Sequence, residues 1–307
     1  MTLALLFPGQ GTQHPAMLGW LDAQPEARSM LDHMAARLGH DWRARLDDAA
    51  WATRNHNAQV LLTGMCVATW QCLVARLPSP AIIAGYSVGE LPAFAVAGVF
   101  DGTSALDLAE QRAAAMEHSV AGKDTGLLAV AGVGEAIIAA ACARHDLAIA
   151  IEIAADRRVL GGLAQALDAA AHELAGEGAR CQRLAVRVAS HTPWMSAAAT
   201  DFAARVDAVP FARPHAALVC NLTGAATRDA ARLRTALASQ LAQPVRWAQS
   251  MDSIVERRPR CVLEIGPGST LAKLWNEFHP DIPARSVDEF RGPGAVCAWV
   301  SATLAGR

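Results

Sequence analysis

The sequence predicts an α/β fold built on a parallel sheet. Two observations carry this: apolar runs of strand length alternate with helix-length segments, and three of those runs end in glycine-rich turns that lead into helices. The first is LALLF at 3–7, followed by Pro8-Gly9-Gln10-Gly11. A helix is then expected over 57–77. Pro78 and Pro80 break the chain before a strand at 81–84, and a further helix starts at Val88. The third run is CVLEI at 261–265, which passes through Gly266-Pro267-Gly268 into STLAKLWNEF, a helix. Such units bring their turns to the carboxyl ends of parallel strands, where functional groups collect.

The middle of the chain reads differently. Strands are expected at 127–133, 147–153 and 157–160, the last two joined by a turn at Ala155-Asp156. Helices at 135–144 and 163–174 and an alternating strand at 181–188 complete the order βαββαβ, that of a ferredoxin-like unit. The expected organisation is a large domain of residues 1–124 and 189–307 interrupted by a small one at 125–188, with the chain returning at Ser190-His191.

Composition excludes several functions. Of 307 residues 52% are apolar and 18% charged, which suits a packed globular enzyme and argues against disorder. A net charge near −2 gives no footprint for nucleic acid. The seven cysteines are scattered without a C-x-x-C pair, so neither a disulfide framework nor a zinc site is expected, and a reducing cytoplasm suits them. No H-E-x-x-H or aspartate-rich loop points to a metal. The N-terminus has no basic flank before its short apolar run, so no secretory leader is expected. The most apolar stretch, 60–75, is short for a span of ~20 residues and holds Thr63, Gly64, Thr69 and Gln71; it reads as a buried central helix, not a membrane anchor.

The candidate chemistry centres on Ser87 in Gly85-Tyr86-Ser87-Val88-Gly89. Ser87-x-x-Glu90 also fits a helix capping box, which any helix start can carry. A cap needs no flanking glycines, whereas a nucleophile raised on a strand-to-helix elbow does, because backbone passes close on both sides. A serine nucleophile needs a base and an oxyanion hole. Among ten histidines His191 stands out: it follows a strand directly and precedes Thr192-Pro193, a cap followed by a first-turn proline. Gly9-Gln10-Gly11 fails as a dinucleotide fingerprint because His14 occupies the third glycine position, but such a turn can present an N–H to an oxyanion. Arg112 stacks with Leu108 and Met116 on the apolar face of its helix, opposite Asp107 and Glu110. A buried guanidinium needs a carboxylate partner, either an internal one or one carried by a substrate.

FPGQGTQ at 7–13, GYSVGE at 85–90, QRAAAM at 111–116, ASHTPWM at 189–195, QLAQPVRW at 240–247 and EIGPG at 264–268 occur in that order. Together they resemble the malonyl-CoA:acyl carrier protein transacylase family over nearly the whole chain. RSVDEF at 285–290, SHTPWM and the tyrosine at 86 are most similar to the transacylase (epsilon) subunit of malonate decarboxylase. The resemblance implies an α/β-hydrolase-like large domain with a ferredoxin-like subdomain. It implies Ser87 as the acyl-accepting nucleophile, His191 as its base, the Gln240 main-chain carbonyl as the group that orients the imidazole, the N–H groups of Gln10 and Val88 as the oxyanion hole, and Arg112 as the holder of the malonyl carboxylate. The implied reaction is ping-pong, from malonyl-CoA through a malonyl-serine ester to the phosphopantetheine-type thiol of an acyl carrier protein, with no bound cofactor or metal. The implied carrier is the malonate decarboxylase subunit or that of fatty acid synthesis, and the sequence alone does not name which. A serine esterase or thioesterase, with water as acceptor, and a non-catalytic carrier-binding module are the alternatives. The sequence departs from the family in carrying Tyr86 where histidine is usual, and in having no asparagine between 150 and 162. Three basic clusters, Arg157-Arg158, Arg180 with Arg183 and Arg187, and Arg257 with Arg258 and Arg260, suit an acidic carrier surface.

Overall fold

The computed structural model describes residues 2–306 and contains two sheets. The strands are β1 (Leu3–Phe7), β2 (Ile82–Gly85), β3 (Thr125–Ala131), β4 (Ala148–Ala154), β5 (Arg157–Leu163), β6 (Arg180–Arg183), β7 (Ala217–Val219), β8 (Ala226–Thr227), β9 (Val245–Arg246), β10 (Cys261–Glu264) and β11 (Ala284–Ser286). The large sheet runs β11-β10-β1-β2-β7-β8 and is parallel except for β8. Strand β1 lies between β10 and β2, with Phe7 level with Gly85 and Leu6 level with Glu264. The three glycine-rich turns foreseen in the sequence therefore emerge side by side at one sheet edge.

Both faces of this sheet are covered, which is why β1, β2 and β7 are continuously apolar. Leu3, Leu5, Phe7 and Ile83 pack on one side with the helices Asn55–Leu73 and Gly102–Ser119. Ala4, Leu6, Ile82 and Ala84 pack on the other with Trp247–Val255 and Thr270–Phe278. The helix Asn55–Leu73 is buried on nearly every side, and it ends at Leu73, four residues before the expected 77. Among the described residues no helix is long and apolar enough to cross a membrane.

The second sheet has the ferredoxin-like order β6-β3-β5-β4, extended by β9, which pairs parallel to β4 with Val245 level with Ile151. Helices Glu135–His145 and Ala164–Gly176 cover one face around their own apolar cluster. The strand expected over 181–188 stops at Arg183. Leu184 N–H still reaches the Leu127 carbonyl, but the ladder goes no further although β3 extends back to Thr125, and the chain leaves the sheet towards His191. Arg157 spans the two bodies through a two-pronged ion pair with Glu277, at 2.7 and 3.0 Å.

The glycines of the elbow are required by proximity. A Cβ on Gly85 would sit 2.1 Å from the Gly89 carbonyl, and one on Gly89 would sit 2.3 Å from the Phe7 carbonyl oxygen. Backbone cannot give way as a flexible side chain can, so Gly89→Ala should cost about 2–3 kcal/mol of stability, at the upper end for overpacking. Gly134→Ala, where an added Cβ would meet nothing within 4 Å, should be near neutral. Urea denaturation of the two variants checks the contrast.

Candidate active site

Strand β2 delivers Tyr86 in an extended conformation, and the chain then turns through Ser87 with φ +58° before a short 3-10 turn leads into the helix Glu90–Val96. A left-handed residue other than glycine costs roughly 1–2 kcal/mol and persists only where its surroundings enforce it. Asn221, just beyond β7, provides the enforcement. Its Oδ1 accepts from Ser87 N–H at 2.7 Å and its Nδ2 donates to the Gly85 carbonyl at 2.6 Å. Its own N–H donates to the buried Glu90 carboxyl at 2.7 Å. The capping-box reading is thereby corrected: Glu90 turns to Asn221, and the Ser87 hydroxyl caps nothing. Burial pushes the Glu90 carboxyl up to about 8, against the Asn221 hydrogen bond and the nearby Arg112 charge.

His191 is likewise left-handed, with φ +63°, and buried. Its N–H donates to the Leu241 carbonyl at 2.7 Å. Ring Nδ1 lies 2.8 Å from the Gln240 carbonyl, which can only accept, so Nδ1 carries the proton. Nε2 is therefore the unprotonated nitrogen, and it faces the Ser87 hydroxyl at 2.7 Å. Burial, and next the positive charge of Arg112, push the imidazole down to about 3, with the Gln240 carbonyl opposing. Pro193 opens the next turn as expected, while the Thr192 hydroxyl donates to the Ala189 carbonyl instead of capping it.

Arg112 is fully buried on the helix Gly102–Ser119, as its apolar stripe foretold. Nη1 donates to Gln59 Oε1 at 2.8 Å; Nη2 lies 3.3 Å from both the Ser87 hydroxyl and Gln240 Oε1. Among the described residues no carboxylate comes within 4 Å, and Nε has no partner. All the direct partners of the guanidinium are neutral. Burial lowers its pKa to about 10, with Glu90 opposing, so it stays charged at neutral pH.

Gln10 lies in the turn after β1, and its side chain donates to Asn55 Oδ1 at 3.1 Å; Asn55 accepts also from Gln59. The turn is thus tied to the group that holds Arg112. Its N–H donates to no acceptor among the described residues. Val88 follows Ser87 at the start of the helical turn and is buried. The six residues singled out in the sequence, Gln10, Ser87, Val88, Arg112, His191 and Gln240, thus gather at the same end of the large sheet. Tyr86 packs edge-on against Trp247 with ring centroids 4.9 Å apart and fills the space left by Gly9. Burial pushes its phenol up. Asn221 and Gln59 were not singled out in the sequence. Their signal is a polar side chain at a position otherwise buried: one directly after an apolar strand, the other inside an apolar helix. No cluster of metal-ligating side chains occurs among the described residues.

Comparison with known proteins places this geometry in a family. The acyl transferase domain model matches residues 4–284. The chain belongs to the acyl transferase domain family. A malonyl CoA-acyl carrier protein transacylase from Mycobacterium tuberculosis is 34% identical over 293 residues, covering 93% of this chain and 96% of that one. The malonyl CoA-acyl carrier protein transacylase structure from Coxiella burnetii superposes with a TM-score of 0.90 at 27% identity, over 98% and 97% of the two chains. A malonyl-transacylase solved in complex with its type II PKS acyl-carrier protein gives 0.89 at 27% identity, over the full length of both. The acyl transferase fold, a parallel α/β sheet with an inserted ferredoxin-like unit, agrees with the sequence reading.

Two outcomes follow for this acyl transferase. Asn221→Ala removes both bonds that pin the elbow, and should lower stability by about 1–3 kcal/mol and slow acyl transfer at least tenfold. A rate within twofold of wild type would remove Asn221 from the site. The imidazole of His191 binds a proton at about 6.5 when unfolded but only near 3 when folded. Between those values the unfolded chain holds more protons, so this residue's contribution to stability is lost as pH falls from 6.5 towards 3. Urea midpoints of wild type and His191→Gln across pH 4–7 should diverge at neutral pH and converge in acid.

Proposed function

We propose that the protein is a malonyl-CoA:acyl carrier protein transacylase that works through a malonyl ester on Ser87. The observation that carries this is the guanidinium of Arg112, buried, met by neutral groups and 3.3 Å from the Ser87 hydroxyl. A fixed cation beside a nucleophile rewards an acyl group that bears a carboxylate, and malonyl differs from acetyl in that group alone. The names of the relatives agree with it.

In the proposed mechanism the Ser87 oxygen attacks the thioester carbonyl while its proton passes to Nε2 of His191, with the Gln240 carbonyl holding the imidazolium that forms. The N–H groups of Gln10 and Val88 receive the oxyanion. Collapse breaks the carbon–sulfur bond, and the departing CoA sulfur takes the proton back from Nε2. The second half reverses the roles: a carrier thiol gives its proton to Nε2, its sulfur attacks the ester carbonyl, and Ser87 leaves with that proton. His191 enters each half neutral, because burial and Arg112 keep it unprotonated. A bound carboxylate offsets the Arg112 charge, which raises the basicity of His191 once malonyl is in place.

The acceptor we propose is the carrier of malonate decarboxylase. The sequences RSVDEF and SHTPWM and the tyrosine at 86 support it. Steady-state transfer to that carrier and to one from fatty acid synthesis, compared as kcat/KM, tests it; a preference for the second overturns the assignment. Water as acceptor is the competing reading. Mass spectrometry after mixing with malonyl-CoA alone should find a persistent malonyl adduct on Ser87, absent in Ser87→Ala; turnover to free malonate without adduct would establish a hydrolase.

Arg112 decides substrate class. A charge-assisted pair is worth on the order of 1.5–3 kcal/mol, so Arg112→Ala should lower kcat/KM for malonyl-CoA roughly 10- to 100-fold and leave acetyl-CoA equal or improved. Arg112→Lys should recover part of the loss, since an ammonium lacks the planar fork. A parallel fall for both thioesters, with a lowered melting temperature, would instead make Arg112 structural.

A further inference from the structure

Outside Gln10 a cavity of about 640 Å³ opens between the segment before the helix Asn55–Leu73 and the stretch 186–188 that leads to His191. It shares Thr53, Val186 and Arg187 with a second cavity of about 590 Å³, so one groove runs outwards from Gln10 towards Arg183. Two arginines line its inner part, Arg54 in the segment before that helix and Arg187 in the stretch that leads to His191. Neither makes an ion pair or a side-chain hydrogen bond among the described residues, unlike Arg183, which is held by Asp168 and the Ala164 carbonyl. The other charged groups there are Glu117, which accepts from His56 N–H, and His56, whose ring meets Glu110 and Asn57. Apart from the His56–Glu110 pair, the inner groove carries two arginines against one carboxylate, Glu117.

We propose that Arg54 and Arg187 form a phosphate subsite for the far end of the pantetheine thioester whose acyl end lies at Ser87. The proposal rests on the transacylase reading. It adds a second anion site outside the one at Arg112. Three features select a phosphate on a slender arm. The cations line a cavity, not a flat face, so a folded carrier surface cannot enter as a linear arm can. The groove leads to Gln10 and to Val188, three residues before His191. Guanidinium forks match phosphate oxygens, and two of them lining one cavity suit a single doubly charged group. Asn55, which also lines the cavity, links it by hydrogen bonds to Gln10 and Gln59, and through Gln59 to Arg112. Both CoA and a carrier's prosthetic arm present phosphate beyond the pantetheine, so the shared chemistry is a phosphoester of pantetheine.

The test compares three donors, malonyl-CoA, malonyl-phosphopantetheine and malonyl-pantetheine, by the rate of adduct formation on Ser87. Wild type should favour malonyl-CoA over malonyl-pantetheine by roughly 10- to 100-fold in kcat/KM, and 0.5 M salt should compress that ratio because both arginines are exposed. The paired variant Arg54→Gln with Arg187→Gln should bring the ratio to about one, mainly by lowering the malonyl-CoA value. Since neither guanidinium has a partner to orphan, folding should survive, and adduct formation with malonyl-pantetheine reports it directly; Arg54→Lys with Arg187→Lys, keeping charge, should hold most of the ratio. If malonyl-phosphopantetheine keeps the wild-type preference, the recognised group is the phosphate that CoA and a carrier arm share; if it behaves as malonyl-pantetheine, the group is at the nucleotide end. An undiminished ratio in the paired Gln variant overturns the subsite. Absence of a Ser87 adduct from wild type with all three donors would instead overturn the transacylase reading.

Discussion

The site depends on one residue held against its preference, Ser87 in the left-handed region. Only in that conformation does the chain end a strand and begin a helix within two residues while lifting the hydroxyl clear of both. The side-chain amide of Asn221 bridges the Gly85 carbonyl and the Ser87 N–H, so it fixes the backbone on both sides of Tyr86. Close packing then removes any choice at 85 and 89, where the neighbouring backbone leaves no room for a Cβ. His191 is strained in the same sense, and its N–H is anchored to Leu241 in the segment that also supplies the Gln240 carbonyl. Strain on both reacting residues is offset by hydrogen bonds that involve backbone on at least one side. Such bonds set position within tenths of an ångström, which a serine–histidine pair at 2.7 Å requires.

Under the proposed function, Arg112 couples the recognition of an acid group to the chemistry. An internal carboxylate at the guanidinium would have stabilised the apo protein and closed the site to a charged acyl group. Gln59, Gln240 and Ser87 satisfy part of its hydrogen-bonding capacity and leave its charge uncompensated at close range. Burying such a charge is costly, and the lowered pKa of Arg112 reflects that cost. The same charge holds the His191 imidazole unprotonated. A carboxylate bound there, as the proposed function requires, would relieve both effects together, and binding of the acyl group and strengthening of the base would be one event.

Much of this was legible in the sequence. LALLF, and CVLEI but for its buried Glu264, are apolar without alternation because both faces of their sheet are covered. The stripe Leu108, Arg112, Met116 located a buried cation from helical spacing alone. Features set by distant partners were not legible. Asn221 lies 134 residues from the serine it supports, and nothing local in Cys220-Asn221-Leu222 marks it as a backbone clamp. The alternation at 181–188 looked like strand throughout, but the ladder with β3 stops at Arg183, opposite Leu128, where the chain turns away to deliver His191. The two-residue strand β9 is too short to carry a pattern and exists because β4 lies beside it.

The small sheet has a part in the chemistry that its sequence concealed. The stretch 150–162 lacks an asparagine to reach the site, yet the sheet supports the imidazole from two sides through backbone and small residues. At Gly161 of β5 a Cβ would fall 2.8 Å from the Thr192 methyl and 3.7 Å from the Ala189 backbone, so the missing side chain is what lets the His191 loop pack on the sheet. On the far edge β4 pairs with β9, which begins five residues after Gln240, and so steadies the segment whose carbonyl fixes the imidazole tautomer. The residue that bonds Ser87 and the residue that bonds His191 are therefore both referenced to the inserted unit, while Ser87 itself is referenced to the large sheet through Asn221. The serine–histidine distance is set by how the two sheets meet, through the apolar cluster that Leu127, Ile151 and Val159 share with Trp247 and Met251, the β4–β9 junction and the Arg157–Glu277 pair.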